Sequence, residues 1–293
     1  EFQAVTGVST GALSAPFVFL GPKWDDELKK IYGGFPRERI FATRFLLDIL
    51  PRASAADSSP LAALIAEYVD DAFLEEVARE HRRGRRLIVQ TTHLDAQQGV
   101  VWDMGAIAAS GAPNALQLFR DVLLASASVP GAFPPVLIEA ELDGETYDEM
   151  HVDGGVVSQA TVVAEWQADI GRYIAQGPTI FMVRNGRVSP EPREVSYDLL
   201  SIAGRAASTL IKNEGLGDLV TAYESAQLRN ADVYMTWIGE DFQANYPGPF
   251  DPGYMRSLYD YGYALMESGA AWSTKPPQLM TAAERRRTVA RAP

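Results

Sequence analysis

Residues 4–13 read Ala4-Val5-Thr6-Gly7-Val8-Ser9-Thr10-Gly11-Ala12-Leu13, and the interpretation of the whole chain starts from them. The apolar, β-prone residues before Gly7 predict a short strand, and the small residues after Ser9 predict a helix. A serine placed between Gly7 and Gly11 at such a turn is typical of a nucleophile elbow, which lifts the serine side chain clear of the sheet. We expect both glycines to let strand and helix approach closely. The alternative is an ordinary Gly-rich turn whose serine caps a helix.

Composition describes an ordinary globular protein with a sizeable core. The chain has 293 residues, of which 47% are hydrophobic and 22% are charged. Its net charge of −12 argues against nucleic acid as a partner. Cysteine is absent, which excludes disulfides, a thiolate nucleophile and Cys-based metal sites. No uninterrupted apolar run reaches about 18 residues, so the sequence predicts no transmembrane segment and leaves the compartment open.

Predicted strands alternate with predicted helices along the chain. Arg86–Leu94 is a strong strand, and Val100–Met104 follows it after a Gln-Gln-Gly turn, which suggests a hairpin or an adjacent strand pair. Thr146–Val152 is another predicted strand. This alternation is typical of a three-layer α/β/α sandwich with a mainly parallel central sheet. We expect a single domain over residues 1–293, with residues 197–293 as a helical and strand extension of it. Because no Met precedes Glu1, we also expect a longer chain, with any signal peptide or lipid-anchor Cys upstream.

A serine nucleophile needs a neighbouring group that accepts its proton. The histidines of the chain are His81, His93 and His151. In α/β-hydrolases the catalytic histidine follows the acid late in the chain, whereas here no histidine follows residue 151. That order would require Asp95 or Asp103 to pair with His151. A Ser–His hydrolase of small esters, using His93 or His151, therefore remains an alternative.

Asp153 is the stronger candidate base, because it ends a predicted strand and precedes Gly154 and Gly155. A carboxylate at the carboxyl end of a strand lies where α/β sheets place their sites, and the two glycines leave room beside it. Burial would raise its pKa towards that of a useful base. The alternative is a plain strand-end turn in which the aspartate caps a helix. His151 lies on the same strand face and either tunes Asp153, contacts substrate or simply packs.

Further blocks of sequence lie between these two motifs. One reads Ala125-Ser126-Ala127-Ser128-Val129-Pro130-Gly131-Ala132-Phe133-Pro134-Pro135, and two others are Thr91–Asp95 and Val100–Met104. These blocks lie between the elbow at residues 7–11 and residues 151–155. Taken together in this order, they resemble the patatin-like phospholipase family. Thr91–Asp95 with Val100–Met104 is similar to central strands of the bacterial members of that family. The resemblance covers residues 1 to about 185.

The resemblance implies a serine acyl hydrolase with a Ser–Asp dyad, in which Ser9 is the nucleophile and Asp153 the base. It implies phospholipids or other fatty-acyl esters as substrates, an acyl-enzyme intermediate, an α/β/α fold, and no metal or other cofactor. The family's oxyanion hole uses a Gly-rich loop with an Arg upstream of the elbow, which this sequence does not contain. The Thr10 N–H is one expected donor, and we expect the others upstream. A non-catalytic lipid-binding or regulatory module with the same fold is a further alternative.

A lipid substrate also implies transient contact with a membrane or micelle surface. Two apolar segments are candidates for it, the predicted helix at Ile40–Leu50 and the aromatic stretch Phe242–Tyr263. Packing into the core explains the first segment better, because exposed apolar patches are rare on soluble monomers. The Tyr and Phe residues in the loop near Pro247–Pro252, such as Phe250 and Tyr254, are harder to bury, so we expect them to form the lip where acyl chains enter.

Overall fold

The computed structural model describes residues 1–35, 37–40, 42–43, 56–160, 177–244, 246–248, 250–281 and 284. The chain divides into two compact units. The first comprises Glu1–Ile31 and Phe35–Thr161, and the second Tyr32–Gly34 and Val162–Pro293. A single domain over residues 1–293 stays a prediction, and the two units are taken in turn.

The first unit contains the elbow and the candidate base. Its strands are β1 (Ala4–Gly7), β2 (Ala42–Thr43), β3 (Ala56–Asp57), β4 (Arg86–His93), β5 (Gln98–Asp103), β6 (Val136–Leu142) and β7 (Glu145–Asp153). Its helices are α1 (Thr10–Leu20), α3 (Ser59–Tyr68), α4 (Asp71–Arg82), α5 (Met104–Ala109) and α6 (Ala115–Ser126), and helix α2 (Asp25–Gly34) begins in it. The predicted helix at Ile40–Leu50 lies outside the described residues except for residue 40 and the short strand β2.

The main sheet is mixed, with strand order β1-β4-β7-β6 and with β5 also paired to β4. Only β1 runs parallel to β4; β5 and β7 are antiparallel to β4, and β6 is antiparallel to β7. The prediction of a mainly parallel sheet is therefore wrong for this unit. The physical reason is that β4–β5 and β6–β7 are hairpins, and a short turn can join only antiparallel strands.

The strand register brings the carboxyl ends of two strands together beside β4. Strand β5 pairs with residues 88–93 of β4 and so occupies one side of it. On the other side, β1 pairs with β4 as far as Gly7↔Val89, and β7 pairs with it from Asp153↔Thr91. Since β1 and β7 run in opposite directions, their carboxyl ends meet on either side of Gln90.

Helices α1, α4 and α6 pack against this sheet and bury its central strand. Leu87–Thr92 of β4 are all buried, and the largest fully buried side chains around them include Phe19, Phe73, Phe119 and Met104. The rings of Phe17, Trp24 and Phe73 contact one another edge to face at 5.1–5.6 Å. This packing fixes helix α1, and therefore the turn that precedes it, by burial of apolar surface.

The second unit contains a two-stranded parallel sheet and two helices. Strand β8 (Thr179–Arg187) pairs with β9 (Asp232–Ile238), and helix α7 (Leu199–Gln227) connects them; helix α8 (Pro252–Glu267) follows. The predicted lip residue Tyr254 is half-buried and contacts the rings of Phe242 and Tyr246 at 5.7 and 5.1 Å, and Phe250 is also half-buried. Among the described residues of both units, no helix combines the length and hydrophobicity needed to cross a bilayer.

Candidate active site

Ser9 occupies the turn between β1 and α1 in a backbone conformation that side chains rarely adopt. Its φ is 58° and its ψ is −128°. A non-glycine residue held there costs of order 1–3 kcal/mol and persists only where the surroundings fix it. Two backbone hydrogen bonds close the turn, from the Gly11 N–H to the Val8 carbonyl and from the Ala12 N–H to the Ser9 carbonyl, both at 2.9 Å. The turn thus has the strained geometry that a nucleophile elbow requires.

The two glycines of the motif differ in their surroundings. A Cβ on Gly7 would lie 2.4 Å from the Gly11 carbonyl oxygen and 2.7 Å from the Cα of Ala12, so the close approach of strand and helix depends on glycine there. A Cβ on Gly11 would meet no atom within 4 Å. The requirement for glycine therefore holds at Gly7. The expectation that a Cβ would also obstruct the approach at Gly11 is wrong, because the side-chain position of Gly11 faces open space while its backbone contacts the Gly7 site.

Asp153 ends β7, and its main chain and side chain are both held in place. Its N–H donates to the Ser128 carbonyl at 2.9 Å, and its carbonyl accepts from the Thr92 hydroxyl at 3.0 Å. The Gly155 N–H donates to Oδ1 of Asp153 at 2.7 Å. A Cβ on Gly154 would lie 2.4 Å from the Gln90 carbonyl oxygen, so the chain passes the central strand too closely for any other residue.

The carboxyl group of Asp153 is buried, with 4% of the residue exposed. Its Oδ2 atom has no hydrogen-bond partner among the described residues. Burial raises the pKa of Asp153 to about 6, against the smaller opposing effects of the Ser9 side chain and the Gly155 N–H. The Ser9 hydroxyl thus lies close enough to favour the carboxylate, although the pair does not reach hydrogen-bond geometry. The structure brings Ser9 and Asp153 together at the meeting point of β1 and β7.

His151 shares the strand face of Asp153 but has other partners. Its Nδ1 lies 2.9 Å from the Thr91 hydroxyl, and its Nε2 lies 3.0 Å from the Glu149 carboxylate. Because a carboxylate only accepts, Nε2–H donates to Glu149. In the neutral ring Nδ1 is then the acceptor for the Thr91 hydroxyl, whose oxygen also accepts from the Trp102 indole N–H. Burial, the largest influence, lowers the pKa of His151. The ring therefore has the contacts of a packed strand histidine.

The other two histidines also have partners away from Ser9. His93 stacks on His151 with ring centroids 5.2 Å apart and lies within 3.9 Å of the Asp95 and Glu149 carboxylates. His81 lies 3.6 Å from Asp103. Within the part of the chain that the structure describes, no three His, Cys, Asp or Glu side chains are placed to share a metal ion.

Sequence reasoning did not identify the residues that hold the two turns. Gln90, in the middle of β4, and Ser126, at the end of α6, connect the elbow to the central strand. Ser126 lies within the Ala/Ser-rich block at 125–135, so the sequence did indicate that the segment around it is important. Gln90 could have been noticed as a polar residue inside an apolar strand. Thr10, the expected oxyanion donor, begins helix α1 directly after Ser9.

Comparison with known proteins identifies the family of this chain. A family model described as patatin-like phospholipase matches residues 1–164 of the 293. The crystal structure of VipD from Legionella pneumophila is similar with a TM-score of 0.39 and 11% identity, and the match covers 91% of this chain and 61% of VipD, so this chain spans less than two thirds of VipD. The search of curated proteins finds no match. Because the family model covers more than half of the chain, the protein belongs to the patatin-like phospholipase family.

Proposed function

We propose that the protein is a serine lipid acyl hydrolase that cleaves fatty-acyl ester bonds of phospholipids or related lipids through a Ser–Asp dyad. The observation that carries this proposal is the pairing of a strained serine elbow with a buried carboxyl whose Oδ2 has no other partner. A base with a pKa of about 6 is charged at neutral pH and still accepts a proton readily. Family membership independently points to lipid acyl hydrolysis.

The reaction follows from these two groups. As the Ser9 oxygen bonds to the acyl carbon, its proton passes to Asp153, and the carbonyl oxygen becomes an oxyanion beside the start of helix α1. Collapse of this intermediate breaks the ester C–O bond, and the leaving alcohol takes the proton from Asp153. Water then attacks the acyl-enzyme with Asp153 again accepting a proton, which returns to Ser9 as the fatty acid leaves. The Thr10 N–H, next to the nucleophile, is proposed as one oxyanion donor.

A Ser–His mechanism has less support from the same contacts. It needs an imidazole nitrogen at the Ser9 hydroxyl, whereas the nitrogens of His151 contact Thr91 and Glu149. His93 faces Glu149 and Asp95. Neither ring is directed to the elbow by these interactions.

Covalent labelling tests the nucleophile. An alkyl fluorophosphonate should modify Ser9, as mapped by peptide mass spectrometry, and Ser9→Ala should abolish both labelling and fatty-acid release from phosphatidylcholine micelles. The control is Ser14→Ala, because Ser14 lies one turn further along α1 and its hydroxyl contacts only helix carbonyls. Unchanged labelling of Ser9→Ala would refute the assignment.

A second variant tests the base. Asp153→Asn keeps the shape of the side chain and its acceptor for the Gly155 N–H, but it cannot take the serine proton. We expect turnover to fall by at least about 1000-fold while the protein remains folded by circular dichroism. Wild-type turnover in this variant would rule out Asp153 as base.

Co-sedimentation with phosphatidylcholine vesicles tests the proposed transient contact with a lipid surface.

A further inference from the structure

The pairings of β1 and β7 with the central strand stop on either side of Gln90. The pairing of β1 with β4 ends at Val89, and the pairing of β7 with β4 begins at Thr91. Gln90 lies between them and is buried, where a backbone carbonyl needs a hydrogen-bond donor. Its carbonyl accepts a hydrogen bond from the Ser126 hydroxyl at 2.7 Å.

The same hydroxyl also contacts the elbow. The Ser9 N–H donates to Oγ of Ser126 at 3.1 Å, and Ser126 is fully buried at the last position of helix α6. One hydroxyl group therefore donates once and accepts once, and it joins the backbone of the candidate nucleophile to the central strand. Ser126 is 117 residues from Ser9 along the chain, so this contact is purely tertiary.

Gln90 also contacts the other turn. Its side-chain Nε2 lies 3.4 Å from the carbonyl of Gly154, which directly follows Asp153, and 3.5 Å from the carbonyl of Ser158. The carbonyl of Gln90 is thus connected to the Ser9 turn through the Ser126 hydroxyl. The side chain of Gln90 contacts the turn that follows Asp153. Both turns are anchored to one residue.

We infer that Ser126 is a positioning residue, which holds the Ser9 elbow in its strained conformation by binding the Ser9 N–H and anchoring it to Gln90. Strain of this kind persists only where several contacts fix it, and this bond acts on the strained residue itself. Ser126 does not touch the reacting atoms; it acts through the placement of Ser9. The structural part of this inference stands alone, while its kinetic consequence rests on the proposed acyl hydrolase.

Amide hydrogen exchange, measured by NMR, tests the structural part without any need for activity. In Ser126→Ala the Ser9 N–H loses its acceptor, so we expect its exchange to accelerate at least about tenfold relative to the Ala12 amide, which donates to the Ser9 carbonyl. The matched control is Val122→Ala, which removes fully buried atoms one turn earlier in α6. It should lower stability without selectively exposing the Ser9 amide.

Kinetics on a soluble short-chain ester test the consequence. Ser126→Ala should lower kcat about 10- to 100-fold per folded molecule, with KM changed less than about threefold and the fluorophosphonate labelling rate lowered in proportion. Ser126→Thr, which keeps the hydroxyl, should recover most of kcat. If Ser126→Ala does not fold, Ser126→Cys replaces it, since a thiol is a weaker hydrogen-bonding group of similar shape.

The outcomes separate this inference from the proposed function. Selective loss of Ser9 amide protection supports the positioning role, even if the wild-type protein hydrolyses no ester, in which case only the proposed function fails. A Ser9 amide equally protected in Ser126→Ala and Val122→Ala would overturn the inference. Equal kcat per folded molecule in those two variants, in an active enzyme, would overturn it as well.

Discussion

The buried carboxyl of Asp153 should make the folded protein less stable at neutral pH than its asparagine variant. Burial raises the pKa of Asp153 from 3.8 to about 6. The folded state therefore binds this proton more tightly than the unfolded state does. The stabilisation from protonation is fully present below about pH 3.8 and is lost as the pH rises through about 6. A difference of about two pKa units corresponds to about 3 kcal/mol.

Asparagine does not titrate, so Asp153→Asn should escape this loss. We expect its free energy of unfolding to exceed that of the wild type by up to about 3 kcal/mol at pH 8, and to match it within about 0.5 kcal/mol at pH 4. The same change should abolish turnover, which is the expected trade-off at a site that keeps a base buried.

Urea unfolding followed by tryptophan fluorescence at pH 4, 6 and 8 measures this difference. Asp121→Asn is the control, because burial also raises the pKa of Asp121 but this half-buried residue lies on helix α6 beside Gln117. It should show a smaller dependence on pH. A stability difference between Asp153→Asn and wild type that is the same at pH 4 and pH 8 would refute the burial argument.

Three further predictions concern the elbow and its base. The kcat/KM for a neutral short-chain ester should fall with a slope of one below about pH 6, as Asp153 takes up its proton, and a profile that stays flat to pH 4.5 would argue against a carboxylate base. Gly7→Ala should lower the free energy of unfolding by about 1–3 kcal/mol through its backbone clash, whereas Gly11→Ala should raise it by about 0.5–1 kcal/mol, and chemical denaturation distinguishes the two. His93→Ala should keep turnover within about tenfold of wild type in a steady-state assay; a loss as complete as that of Ser9→Ala would instead favour a Ser–His mechanism.

The parts of the fold that depend on local sequence were predicted well. The strand, turn and helix around Ser9 follow from glycines and apolar residues within ten positions, and the predicted strand Arg86–Leu94 corresponds to β4 at Arg86–His93. The position of Asp153 at a strand end follows in the same way from the glycines after it. These features depend on backbone preferences that act over a few residues.

The antiparallel direction of β6 and β7 was not predicted, although a signal for it was present. Asp143 and Gly144 lie between the paired residues Leu142 and Glu145, and an Asp-Gly turn between two strands is typical of a hairpin. That turn makes β6 and β7 antiparallel. The roles of Gln90 and Ser126 could not be predicted, because a buried hydrogen bond between residues 36 positions apart leaves no periodic pattern in the sequence.

We expect the β6–β7 hairpin to tolerate a change in length. Seven residue pairs join its strands, but only the last three residues of β7 pair with β4, so its tip extends away from Ser9. Side chains alternate between faces, so extending both strands by two residues at Asp143–Gly144 preserves which way Asp153 points, whereas deleting one residue of β7 reverses it. Tags or reporter sequences inserted at this tip should therefore leave the chemistry intact.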